Sequence, residues 1–232
     1  GSGLQPVNVT TDGNGSSATH AQIGVSSGTI WDEDIEITIA ADAIPASIPI
    51  LYRDGASGNW RKIAATDYVV TTTGTGRAAY NEWTGATWQL TEVTNNDFLC
   101  MHLYAVNDVN NGYFWVCGQE EYATAGLARA GALTELLALE TNGLPVVEYK
   151  SVATFIVKTS TTYTNAVKSS IQSTDSGADY VDWRFTDVGL ALSVSGATTP
   201  VWGDITGTLS NQTDLQAALD AKADTADLAT IE

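Results

Sequence analysis

The feature that most restricts the possible folds is a pair of apolar runs near the middle of the chain. FLCMHLYAV (98–106) is the longest β-like run, and NDVNNG (107–112) connects it to YFWVCG (113–118). The connection ends in Asn-Gly, which is the strongest short-range signal for a β-hairpin. We therefore predict two long antiparallel strands joined by a turn, around which the other elements are arranged.

Further strands are predicted on both sides of this hairpin. IEITI (35–39) alternates strictly between apolar and polar residues, as a half-buried strand does. Turn residues recur between the runs at short intervals, and this pattern is typical of an antiparallel β-sandwich or a Greek-key barrel. We expect 161–179 to be mainly turn and surface. The other predicted strands are 48–53, 60–64, 67–73, 146–159, 180–185 and 190–196.

One short helix interrupts the β-rich pattern, at about 124–140 within YATAGLARAGALTELLALETNG (122–143). Gly126 and Gly131 weaken its first half, and Gly143 supplies a C-terminal stop. Helical spacing places five side chains near one face: Leu127, Ala130, Leu133, Leu137 and Glu140.

The charge of the chain excludes some classes of partner. Lys and Arg total 10 against 27 Asp and Glu, which gives a formal net charge of −17. Phosphate contacts need clustered basic residues, so nucleic acid is not an expected partner, and an anionic membrane surface is repelled for the same reason. No apolar run is long enough to span a bilayer, so membrane insertion is not expected either.

The two cysteines, Cys100 and Cys117, lie on the two arms of the predicted hairpin. The expected turn places them out of register. We therefore predict two small buried thiols, with a disulfide across the hairpin as the alternative.

The pattern of reactive residues indicates no catalytic, metal or cofactor site. His20 and His102 are far apart in sequence, and we expect His102 to be a strand residue with a satisfied ring nitrogen. Asp32-Glu33-Asp34 lacks the spaced ligands and turn glycine of a calcium loop, which favours a solvated turn. The chain has no G-x-S-x-G motif, and neither cysteine lies in an activating context. Paired carboxylates for sugar hydrolysis stay an open alternative, because their spatial separation is not encoded in sequence spacing.

Three of the seven tryptophans are candidates for contact with a glycan. Trp83 and Trp88 flank a glycine-centred turn, and Trp60 follows a glycine-bearing turn. An aromatic face beside polar groups is typical of a sugar site. The favoured interpretation is nevertheless that tryptophan fills the core, because the chain has few phenylalanines.

The end of the chain is predicted to form a coiled coil. Ser210 and Thr213 are good N-caps, and Thr213 has capping-box spacing to Gln216. A narrow apolar stripe follows, and such a stripe suits a coiled-coil seam better than contact with a sheet. Packing of this helix against its own globule is the alternative. The seam positions are Leu215, Leu219, Lys222, Ala226 and Ala229.

These patterns predict four regions. Residues 1–28 form a flexible arm or edge strands, with Gly1-Ser2-Gly3 as a cloning remnant, and 29–198 form the β-rich globule. Residues 199–210 form a neck. The coiled coil begins at 211–232, and we expect it to be truncated because the helical pattern continues to the last residue.

The string WGDITGTLSNQTDLQAALDAKAD (202–224) closely resembles a segment of tail-fibre and related virion proteins of tailed bacteriophages. In those proteins W-G-x-I-T-G-T-L-S-x-Q-T-D-L-x-x-A-L leads a globular module into a trimeric coiled coil. The order of FLCMHLYAVND, GQEEY, AGALTEL, LPVVEY and DYVDWRF within 98–185 also resembles a phage tail module. Residues 4–97 add only general β character.

The resemblance implies a homotrimeric, non-enzymatic tail-fibre component that helps to attach the virion to its host. Such a protein is made in the host cytoplasm and contacts other tail proteins and a host glycan or protein receptor. The alternative function is a carbohydrate-binding module or a tailspike that depolymerises host polysaccharide, although the chain lacks the repeat period of a β-helix. The trimer-interface residues expected from the resemblance and the seam are Trp202, Ile205, Leu209, Leu215, Leu219 and Ala226.

Overall fold

The structure, a computed structural model, describes residues 3–32, 35–108, 112–139, 141–145, 149–174 and 177–185. These residues are mainly β with one α-helix, as predicted. The elements are β1 Pro6–Val7, a 3₁₀ helix Ala18–Ala21, β2 Gly24–Val25, β3 Gly28–Asp32, β4 Ile35–Ile39, β5 Ile48–Asp54, β6 Asn59–Thr66, β7 Ala79–Trp83, β8 Trp88–Glu92, β9 Phe98–Val106, β10 Tyr113–Tyr122, α1 Ala125–Ala138, β11 Tyr149–Thr159, β12 Ser169–Gln172 and β13 Val181–Asp182.

The main sheet has seven strands within the described residues, in the order β12-β11-β9-β10-β5-β6, with β13 also paired to β11. The predicted hairpin is confirmed as β9 and β10, which pair antiparallel. The pairing of β5 with β10 is parallel, so the expectation of a wholly antiparallel arrangement was wrong. Between β6 and β9 the chain forms the β7–β8 hairpin, and this long connection lets β10 lie beside β5 in the parallel sense.

Side chains of β9 alternate between two buried clusters on the two faces of the sheet. Leu99, Met101 and Leu103 belong to the larger cluster, with the early strands of the chain. Cys100 and Tyr104 belong to the second cluster, with α1. Every residue of β9 is buried, because both faces of this strand are covered.

The helix α1 confirms the predicted helix, but the face on which helical spacing gathers leucines is not the buried face. Its sheet-facing residues include Ala128 and Ala132, whereas Leu127 is 56% and Leu133 40% exposed. Small side chains allow the helix to approach the sheet closely. At Gly131, an added Cβ would lie 2.7 Å from the ring of Tyr122, so the glycine that weakens the helix in isolation is required by packing.

Two further predictions were wrong. The run 67–73 forms no named strand: Val69 and Val70 are fully buried, but the Val69 amide donates to the carbonyl of Ala21 instead of to a neighbouring strand. Conversely, 161–179 contains the buried strand β12. The Asn165 side chain satisfies the main chain of Ser169, so serine can be buried there without loss of hydrogen bonds.

The structure confirms two buried, free thiols. Cys117 pairs with Met101, one position from Cys100, so the two thiols point to opposite faces of the sheet. Burial raises the pKa of both thiols, and the charge of Glu135 raises each further. A raised pKa removes the nucleophilic thiolate at neutral pH.

The segment before residue 28 contains short strands and contributes Leu4, Ile23 and Val25 to the larger cluster. By its internal contacts the chain divides into a unit of 1–192 and a unit of 193–232. The predicted strand 190–196, the neck and the coiled coil lie outside the described residues, as do Glu33 and Asp34. No helix among the described residues is long and apolar enough to cross a membrane.

Candidate functional site: a cleft beside the tryptophan hairpin

The β7–β8 hairpin places two of the three candidate tryptophans side by side. Trp83 ends β7 and Trp88 begins β8, so they are cross-strand partners with ring centroids 5.4 Å apart. The turn between them is closed by Thr84, whose amide donates to the Thr87 carbonyl at 3.0 Å and whose hydroxyl accepts from the Thr87 amide at 3.2 Å. Trp83 is 46% exposed, so this tryptophan does not fill the core.

Arg53 on β5 links the hairpin to the third candidate, Trp60. Its guanidinium lies over both the Trp60 ring, at 5.1 Å, and the Trp88 ring, at 5.8 Å. The Arg53 Nη2 and the Trp60 Nε1 each donate to the Asn142 carbonyl at 2.9 Å. Trp60 and Trp88 are therefore packed against one buried cation, since Arg53 is only 9% exposed, and Trp83 joins them through its contact with Trp88.

The hairpin is fixed to the main sheet at two further points. The Asn81 side chain accepts from the Arg53 amide at 2.7 Å and donates to the Arg53 carbonyl at 2.9 Å. Gly55 and Trp88 form a two-bond bridge. At Gly58, where φ is +60°, an added Cβ would lie 2.9 Å from the Arg53 guanidinium, so glycine is needed for this approach.

An open cleft of about 470 Å³ lies between this hairpin and the end of β10. The hairpin contributes three aromatic residues and one glutamate to its lining, and β10 contributes three polar residues. Trp60 does not line it, so of the three candidate tryptophans Trp83 and Trp88 face this cleft. The lining residues are Tyr80, Glu82, Trp83, Trp88, Gln119, Glu120 and Glu121.

The cleft is acidic, and none of the described residues that line it is basic. Burial raises the pKa of Tyr80 to about 12, with further contributions from Glu82, Glu121 and Glu120. The pKa of the Glu120 carboxyl is also raised, first by partial burial and then by the charge of Glu135. Burial is the larger cause of both pKa shifts, and the charges of nearby glutamates add to it.

The polar groups of the cleft differ in how far the protein satisfies them. Glu82 Oε2 accepts from the Thr91 hydroxyl at 2.6 Å, and Glu121 Oε2 accepts from the Thr94 amide at 2.8 Å. The Nε2 of Gln119 is buried without a hydrogen-bond partner in the described structure. A buried donor without a partner is costly and points to an acceptor that the described residues do not supply.

A second polar cluster lies under α1 and is closed to solvent. Glu135 Oε1 accepts from the Gln119 amide at 2.6 Å, and its Oε2 accepts from the Tyr122 hydroxyl at 2.7 Å. His102 Nδ1 lies 2.8 Å from the Thr154 hydroxyl, which satisfies one ring nitrogen as predicted. His102 Nε2 is 3.5 Å from Glu135 Oε1, an ion-pair distance that is too long for a directed hydrogen bond. With His102 fully buried, this cluster is structural.

The remaining sequence candidates are not brought to the cleft. His20 lies in the 3₁₀ helix, where its Nδ1 accepts from the Ser17 amide at 3.4 Å. In the part of the chain that is described, no group of His, Cys, Asp and Glu could hold a metal ion. The trimer-interface candidates lie outside the described residues: Trp202, Ile205, Leu209, Leu215, Leu219 and Ala226.

Sequence reasoning did not identify Arg53, Gln119, Glu120 or Glu121 as site residues. GQEEY (118–122) does carry a signal, because a strand that turns from apolar to acidic residues leaves the core at that point. Its position beside the tryptophan hairpin depends on contacts between β7 and β10, which are distant in sequence. The chain was compared with protein-family models, curated proteins and solved structures, and none of the three comparisons found a match.

Proposed function

We propose that the chain is a homotrimeric, non-enzymatic component of a bacteriophage tail fibre that helps to attach the virion to its host. The observation that carries this proposal is the resemblance of WGDITGTLSNQTDLQ (202–216) to the lead-in segment of fibre coiled coils.

The motif has a physical role in this proposal. Trp202 and Ile205 bury against neighbouring subunits, and Leu209 begins the seam that Leu215 and Leu219 continue. Three chains together carry three times −17, so the seam must offset considerable repulsion between the subunits. Because such repulsion is screened by salt, assembly should strengthen as ionic strength rises.

Sedimentation of the full chain tests the proposal. The wild type is expected to have a mass of about three times 24.4 kDa. Leu215→Asp with Leu219→Asp should give a monomer, because six carboxylates would be buried in the seam of one trimer. Ala217→Asp with Ala221→Asp is the matched control, since it adds the same charge at positions off the seam. A monomeric wild type would overturn the proposal, and a trimeric seam variant would assign assembly to the globule.

A second function, contact with a saccharide, is favoured by the exposed face of Trp83 beside carboxylates and an unpartnered amide. A sugar presents C–H groups to an aromatic face and hydroxyls to polar groups, and this cleft offers both. A glycan array should therefore show binding that Trp83→Ala removes. Trp31→Ala is the control, because Trp31 is 59% exposed and does not line the cleft.

We propose that this contact is binding without cleavage. Glu82 and Glu121 accept hydrogen bonds from the protein, which suits fixed acceptors rather than a proton-transfer pair. The alternative, a depolymerase, predicts release of reducing ends from a bound host polysaccharide. An assay for reducing ends with wild type and Glu120→Gln separates the two, because only the depolymerase predicts a signal that the substitution lowers.

A further inference from the structure

The charge and the aromatic lining of the cleft restrict which saccharide fits it. Three carboxylates, those of Glu82, Glu120 and Glu121, line the cleft together with Trp83 and Trp88. Sialic acids, uronic acids and phosphorylated sugars would bring a second negative charge close to these groups, with no basic lining residue among those described to offset it. A protonated amine instead gains attraction from the carboxylates and from the negative face of an indole.

We propose that the cleft binds an amino sugar that carries a free, protonated amine. This inference rests on the saccharide contact proposed above and adds the charge of the ligand to it. The sugar ring stacks on Trp83, the ammonium group lies among the glutamates, and a ring or hydroxyl oxygen accepts a hydrogen bond from the Gln119 side chain.

Glu120 is the carboxylate best placed to receive the ammonium group. The other two already accept hydrogen bonds from Thr91 and the Thr94 amide. Glu120 is exposed and has no hydrogen-bond donor in the part of the chain that is described. Partial burial and the nearby charge of Glu135 make its ionised form unfavourable, and a bound cation relieves that cost.

Gln119 supplies the observation that is independent of charge. Its main-chain amide is held by Glu135 at 2.6 Å, so the position of the residue is fixed. Its side-chain Nε2 is buried without a partner and belongs to a residue that lines the cleft. If the Gln119 side chain rotates toward the cleft, an oxygen of the ligand would satisfy this donor, which a ligand consisting only of an ammonium group would leave unpaired.

Calorimetric titration of the full chain with two ligands of equal length tests the inference. The fully deacetylated β-1,4-linked glucosamine tetramer has free amines, and the N-acetylated tetramer has none. The deacetylated tetramer should bind more tightly by about tenfold at low salt, because attraction of its ammonium group to each of two partly exposed carboxylates contributes a few-fold. The difference should shrink as salt is added.

Three variants assign this difference to the named residues. Glu120→Gln should weaken binding of the deacetylated tetramer by about fivefold and leave the acetylated one unchanged. Trp83→Ala should abolish binding of both tetramers. Glu36→Gln is the matched control, because Glu36 is an exposed strand residue that does not line the cleft. Circular dichroism spectra identical to wild type exclude misfolding as the cause.

The outcomes separate this inference from the proposals on which it depends. Equal affinity for the two tetramers, lost in Trp83→Ala, would overturn the role of the amine while the saccharide contact stands. If neither tetramer binds while other glycans bind on the array, the amino-sugar assignment is overturned as well. Choline bound as tightly as the deacetylated tetramer would show that an ammonium group alone is recognised and would overturn the amino-sugar assignment. The trimer proposal is tested separately, by the mass of the full chain in sedimentation.

Discussion

Two glutamates near the same end of the main sheet, Glu135 under α1 and Glu120 in the cleft, show opposite uses of one side chain. Glu135 is 4% exposed, and both of its oxygens accept hydrogen bonds from the protein. Glu120 is exposed, accepts none from the described residues, and has its pKa raised in part by the charge of Glu135. A carboxylate whose oxygens already accept hydrogen bonds from the protein stabilises the fold, whereas one that accepts none can still bind a ligand.

The largest effect is expected from Glu135→Leu. The substitution leaves the Gln119 main-chain amide and the Tyr122 hydroxyl without their acceptor, and it removes the carboxylate that lies 3.5 Å from His102 Nε2. We expect the free energy of unfolding to fall by about 3–5 kcal/mol, because two donors lose their acceptor and each such loss costs roughly 1–3 kcal/mol. Urea denaturation measures this loss in the free energy of unfolding.

Glu36→Leu is the control for this substitution, since Glu36 is exposed. If Glu135→Leu does not fold, Glu135→Gln keeps one acceptor oxygen and should show a smaller loss. A loss below 1 kcal/mol in both variants would break the comparison, because Glu135 would then be no more structural than Glu120.

A smaller loss is expected from Thr154→Val. The Thr154 hydroxyl accepts from the indole nitrogen of Trp183 at 2.7 Å and lies 2.8 Å from His102 Nδ1. Valine has nearly the same shape, so packing is retained while two buried groups lose a partner. The expected loss is about 1–3 kcal/mol by urea denaturation. Thr164→Val, at an exposed threonine, should lose less than about 0.5 kcal/mol, and an equal loss in both would contradict the structural role of the cluster.

The parts of the fold that were predictable are those specified by local patterns. The β9–β10 hairpin follows from two long apolar runs and an Asn-Gly pair, and the bounds of α1 follow from its periodicity and flanking residues. In each case the residues that decide the structure are close together in the chain, so sequence spacing carries the information.

What could not be predicted depends on tertiary contacts. Val69 and Val70 have strand-like composition, yet they are buried by packing without ladder pairing. The strand β12 lies in a polar segment, and its pairing partner β11 is held beside it by the tertiary fold, with Asn165 bonding the main chain of Ser169. The buried face of α1 was not evident from the leucine spacing, because Ala128 and Ala132 lie on it beside Leu136 while Leu127 and Leu133 are exposed. The cleft was found only in part. The tryptophans stand out in the sequence, whereas Gln119 and Glu120 reach them only through contacts between β7 and β10, which are distant in sequence.

Trp83→Ala tests whether an aromatic residue of the cleft serves binding more than stability. Trp83 is 46% exposed and its main contact is the ring of Trp88 at 5.4 Å. We expect a loss of about 0.5–1.5 kcal/mol in the free energy of unfolding, the usual value of an aromatic pair, together with loss of saccharide binding. Thermal denaturation and glycan binding should be measured on the same sample. A loss above 3 kcal/mol would place Trp83 in the core and remove the basis for a binding role.

The smallest effect, and the one with the opposite sign, is expected from Glu120→Gln. Because the pKa of Glu120 is higher in the folded protein than in the unfolded chain, folding is favoured by protonation of this group, and its ionised form opposes folding. The variant should therefore melt slightly above wild type near neutral pH. The gain should disappear as the pH falls through the raised pKa, since wild-type Glu120 is then neutral as well. Glu36→Gln should have the same melting temperature as wild type at every pH. A variant that is less stable than wild type at neutral pH would mean that Glu120, like Glu135, serves the fold, and the distinction between the two glutamates would fail.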